Sequence, residues 1–148
     1  MVKISHVKNK KKTTKIIFVQ DWYIWNSGTL VIVGGTLTDG LAYSKKIRAK
    51  KSFTNWIEEI IKDDKEIDTL GRQPGRAYYH NDTGATILLL KGFSNDWAWF
   101  ETLLHEIVHL VDDVLGKAKA VTNEYEARAY TTEFLFREIR NKVSRTKT

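Results

Sequence analysis

Apolar positions recur along this chain in two rhythms. Lys15 to Gln20 and Thr29 to Val33 are short β-branched, apolar runs, which predict strands. Gly34-Gly35 and Asp39-Gly40 read as turns between strands, and Leu41 to Ile47 reads as a third strand. Ser52 to Glu66 changes rhythm: Phe53, Trp56, Ile57, Ile60 and Ile61 fall at helical spacing with acids on the opposite face. Gly71, Pro74 and Gly75 make Asp68 to Arg76 a loop. Ala77 to His80 and Ala85 to Leu90 flank Asn81-Asp82-Thr83-Gly84, a hairpin signal, and the second of these strands is apolar on both faces. A long helix follows, with Ser94 as its expected N-cap, Leu115 near its end and Gly116 just past it. Asn123 is the expected cap of a last helix reaching about Val143, with Glu126 three residues later as in a capping box. The pattern predicts one α+β domain over residues 1–148. It has a β-rich part over about 1–50 and a helical part over about 77–143, with a small mixed or antiparallel sheet packed on the two long helices.

The segment from Gly92 to Gly116 stands apart chemically. It carries five acids and two histidines and no lysine or arginine. An ordinary surface helix pairs acids with bases one turn away. At 100° per residue, Glu101, His105, His109 and Asp112 fall in one narrow arc, with Glu106 beside it and a wide apolar arc opposite. Within the arc stands His105-Glu106-Ile107-Val108-His109, an H-E-x-x-H sequence. Two imidazoles four residues apart on a helix project in parallel and can share one Zn²⁺. The Glu after the first His is rotated away from the ion, yet it can reach a water bound there and act as general base.

Composition narrows the possibilities. There is no cysteine, which excludes disulfides, thiolate metal sites and a cysteine nucleophile, so any metal is held by nitrogen and oxygen. Five Trp, six Tyr and six Phe exclude global disorder. No apolar run is long enough to span a membrane, and Ile16 to Val19 is too short for a signal-peptide core. With zero cysteine, that points to a cytoplasmic protein. Net charge is +6, concentrated at Lys8 to Lys15, Lys45 to Lys51 and Arg137 to Lys147. Such patches admit nucleic acid as a partner, as in a basic nucleic-acid-binding protein whose metal site is structural or degenerate.

A catalytic zinc site needs a third protein ligand. His6 sits in the lysine-rich start, His80 ends a strand, and no histidine follows His109. Asp112 stands where an H-E-x-x-H-x-x-G-x-x-H protein has Gly. Carboxylates remain. Glu126, after sixteen intervening residues, suits the first turn of an antiparallel neighbouring helix. The ligand role is preferred over the alternative, that Glu126 is the capping partner of Asn123, and Glu124 is the competing ligand.

His105-Glu106-x-x-His109 followed by Glu126-Ala127-Arg128-Ala129 resembles the gluzincin metallopeptidases, most of all their minimal phage and bacterial members, over about Ala77 to Phe136. The resemblance implies a zincin-like fold and a zinc-dependent endopeptidase acting on a peptide or protein. It implies His105, His109 and Glu126 as metal ligands and Glu106 as general base. It further implies that Ala85 to Leu90 is the edge strand aligning an extended substrate. Tyr130 stands four residues after Glu126, where larger members have an Asp. Support for the ligands then falls to Asp112, Asp113 or Glu101, and oxyanion stabilisation to Tyr130, Tyr78, Tyr79 or His80.

Overall fold

The computed structural model describes residues 14–22, 28–63, 70, 73–117 and 124–146. Among these residues four strands and four helices follow in the order β1 (Ile16–Asp21), β2 (Gly28–Val33), α1 (Leu37–Lys46), α2 (Lys51–Asp63), β3 (Gly75–Tyr79), β4 (Thr86–Leu90), α3 (Trp97–Lys117) and α4 (Glu124–Thr146). The strands form one mixed sheet in the order β1-β2-β4-β3. β1 and β2 pair antiparallel, as do β3 and β4, while β2 and β4 pair parallel. The architecture is α+β, and the N-terminal strands share a sheet with the later hairpin.

Strand alternation builds two cores. Val31, Val33, Leu88 and Leu90 face α3 and α4, where they meet Leu103, Ile107, Leu110, Leu135 and Ile139. Leu30, Ile32, Ile87 and Leu89 face α1 and α2, where they meet Leu37, Trp56 and Ile57. All five residues of β4 are buried, so this strand is central. That corrects the expectation that Ala85 to Leu90 forms the edge. A strand apolar on both faces is what a sheet covered on both sides requires, and here β3 is the edge beside α3.

A second correction falls on Asp39-Gly40 and Leu41 to Ile47, where Asp39 to Lys46 belong to helix α1, with Ile47 as its C-cap, rather than to a turn and a strand. Thr36 caps α1 with a reciprocal box: the Asp39 backbone N–H donates to the Thr36 hydroxyl (3.2 Å), and the Thr36 N–H donates to Asp39 Oδ2 (2.8 Å). Burial alone would raise the Asp39 carboxyl. Hydrogen bonds from Thr36 and Lys15 outweigh that and hold it below the usual carboxylate range. Gly40 packs against β2, where a Cβ would stand 2.4 Å from Ile32 Cδ1, so glycine lets the helix approach the strand. Close approach of α1 to β2 therefore overrides the turn propensity of Asp-Gly.

Helix α3 begins later than expected. Asp96, not Ser94, accepts the Trp99 N–H (2.9 Å), while the Ser94 hydroxyl donates to Asp96. The Ser94 hydroxyl and the Trp99 N–H both hold the Asp96 carboxyl low. Gly116 is inside α3, and Asn123 lies outside the described residues. Among the described residues, no helix is long and apolar enough to cross a membrane.

Candidate metal centre and cleft

Helix α3 is wedged between two neighbours. Leu103, Ile107 and Leu110 are fully buried against the sheet, β3 lies along one flank and α4 along the other. The face left open carries Glu101, His105, His109 and Asp113, one turn apart in a single row. The two imidazoles converge: His105 Nε2 and His109 Nε2 are 3.1 Å apart, and the rings meet edge to face with centroids 4.7 Å apart. Both histidines are exposed to solvent.

Glu106 turns toward β3 and is only 8% exposed. It has no hydrogen-bond or ion-pair partner among the described residues, and its oxygens are not sealed from the cleft. A free, nearly buried carboxylate is costly to keep unless something is meant to meet it. Its position depends on Gly75. A Cβ placed there would stand 2.9 Å from Leu90 Cδ2, 3.0 Å from Thr102 Cγ2 and 3.1 Å from Glu106 Cγ. Glycine at this point lets the edge strand come down onto the motif helix.

Between α3 and residues 73–77 lies a cleft of about 910 Å³, lined by His105, Glu106, His109, Glu101, Asp113 and the start of β3. That is the size of a pocket for a substantial ligand. Arg76 also lines it, with Nε donating to Gln73 Oε1 (2.6 Å). Sequence reasoning missed Arg76 and Gln73. Both sit where a loop meets a strand, and nothing local marks them as neighbours of a helix some thirty residues on.

The other expected contributors are placed elsewhere. Asp112, expected on the histidine stripe, points to the opposite flank and pairs with Arg128 of α4, whereas Asp113 faces the cleft. Glu126 is exposed in the first turn of α4 and does not line the cleft. The Glu124 side chain and His6 lie outside the described residues. Among the described residues, no three His, Cys, Asp or Glu side chains are grouped to hold a metal. His80 caps its own hairpin: Nδ1 accepts the Thr83 N–H (3.2 Å), and the ring lies against Trp56 with centroids 5.1 Å apart. Tyr78 packs in the second core, and Tyr130 is exposed on α4. None of His80, Tyr78, Tyr79 or Tyr130 lines the cleft; among the described residues, Arg76, Gln73 and Thr102 are the polar side chains on its wall besides the histidines and carboxylates.

The donor set can be tested against zinc. Two imidazole nitrogens bound to one tetrahedral Zn²⁺ at their usual bond length lie about 3.3 Å apart. The observed separation of 3.1 Å is within a few tenths of an ångström of that. The imidazole pair therefore fits the ion, while the described residues contribute no third ligand beside it. Comparison with protein-family models, curated proteins and solved structures gives no match for this chain.

Proposed function

We propose that the chain is a zincin-like, zinc-dependent metallopeptidase that hydrolyses peptide bonds in the cleft between α3 and β3. The observation that carries this reading is the convergence of His105 Nε2 and His109 Nε2 beside a nearly buried, unpartnered Glu106. His105 and His109 are the proposed metal ligands. Glu126 is the proposed third, brought in by an adjustment of the first turn of α4, with Glu124 as its competitor. Bound Zn²⁺ would supply an acidified water and polarisation of the scissile carbonyl. Glu106 accepts the proton of the attacking water and returns it to the leaving amine nitrogen. β3 is the sheet edge on this side, so its outer backbone groups can align an extended peptide. Zero cysteine suits work in a reducing cytoplasm.

Metal content measured on wild type, His109→Ala, Glu126→Ala and Glu124→Ala tests the site. One zinc per wild-type chain, lost in His109→Ala and in one of the two glutamate variants, is the expected result. Metal-free wild type after zinc dialysis would end the reading.

The second reading is a basic nucleic-acid-binding protein. It is favoured by Lys15, Lys142 and Arg145, which line one groove between β1 and the end of α4. Salt-insensitive failure to bind single-stranded and duplex DNA would remove it.

A further inference from the structure

The row Glu101, His105, His109, Asp113 places a carboxylate one helical turn beyond each end of the histidine pair. Both acids line the cleft. Neither has an ion-pair partner among the described residues, although the chain carries +6 overall. A surface helix in a lysine-rich protein would ordinarily have its acids matched. Glu106 adds a third unpartnered carboxylate on the same wall, and it is more than nine-tenths buried. Against these three stands, among the described residues, one cation of the cleft wall, Arg76, whose Nε is already engaged by Gln73.

Resting on the reading of the cleft as a peptide site, we infer that its occupant is a basic segment, with Lys or Arg side chains on both sides of the bond held at the histidine pair. Glu101 and Asp113 are separated by about 18 Å of helix rise, the length of about five residues of extended peptide. One residue on either side of the histidine pair, two or so from the centre, therefore comes opposite a carboxylate. A divalent ion held at the pair would offset part of this negative charge, leaving the selection to the two end acids, each one helical turn further along the occupant. At physiological salt, screening over about 8 Å makes these nearby acids outweigh the distant basic faces of the molecule.

Two labelled ten-residue peptides, one with lysines flanking an apolar centre and one with glutamates there, are titrated into the zinc-treated wild-type chain by fluorescence anisotropy. Their cleavage is followed by mass spectrometry. The lysine peptide is expected to bind about three- to tenfold tighter, as two partly exposed ion pairs would give. The preference should shrink in 0.5 M salt and disappear in the double variant Glu101→Gln/Asp113→Asn. The Glu101→Lys/Asp113→Lys variant should reverse it, and circular dichroism checks that the variants are folded. Equal binding of both peptides, or a preference that survives the neutral double variant, overturns the inference. Cleavage of both peptides at equal rates overturns it and leaves the peptidase reading standing. Selective binding without cleavage supports the inference and counts against the peptidase.

Discussion

The two edges of the sheet carry opposite charge, and they treat it differently. At the β1 edge two of the three groove cations have partners within the protein. Lys142 Nζ donates to Gln20 Oε1 (2.6 Å) and lies 5.5 Å from the centre of the Phe18 ring, while Lys15 pairs with Asp39 at 3.2 Å. At the β3 edge Glu101, Glu106 and Asp113 have no such partners among the described residues and look into a concave space. Fold maintenance therefore accounts for much of the basic edge and for none of the acidic one. Charge by itself does not mark a working surface; unmatched charge on a concave wall beside a converging histidine pair does.

The sharpest separation of the two edges comes from Glu106→Gln. It preserves shape, so zinc content and melting temperature should stay near wild type. Peptide hydrolysis should fall by about 10²–10⁴-fold, the usual contribution of a general base. Full activity in this variant would break the assignment of the β3 edge as the chemical one. Next in size is Gly75→Ala. Its new methyl meets Leu90, Thr102 and Glu106 at 2.9–3.1 Å, inside van der Waals contact with all three. Overpacking of this kind costs about 1–3 kcal/mol, readable by urea denaturation, with turnover lost through displaced Glu106.

At the opposite edge, Lys142→Ala should cost about 1–3 kcal/mol without touching hydrolysis, because it strands the side-chain amide oxygen of Gln20, a residue only 3% exposed. If hydrolysis falls as well, the edges are not independent.

The smallest effect is a pH dependence. The folded pKa of Asp39 is depressed, so its contribution is present above the unfolded value of 3.8 and fades as pH falls through the lower folded value. The Asp39→Asn variant should lose less stability than wild type between pH 5 and pH 3, measured by thermal unfolding.

Legibility in the sequence tracked the range of the interactions involved. The strands β1 and β2 as separate elements, the helix α2 and the 77–90 hairpin are readable because alternation and helical spacing are local; which strands pair is not. α1 was misread because Asp39-Gly40 resembles a turn. The deciding contact, Gly40 against Ile32 of β2, is with a strand and belongs to packing rather than to local propensity. The β4 segment contained its own clue, since a strand apolar on both faces belongs inside a sheet, yet its place before the motif helix suggested an edge. Arg76 and Gln73 carried no local sign at all.

The sequence alone determined the metal-binding possibility: residues 105 and 109 are neighbours in any α-helix, and residue 106 is turned aside by the same geometry. Tertiary structure decided which flank each remaining acid serves. Asp112 and Asp113 differ by one position along the helix, but that step of about 100° sends one to Arg128 on α4 and the other into the cleft. The choice depends on where β3 and α4 dock. Such contacts form between residues far apart in the chain, so no local pattern encodes them.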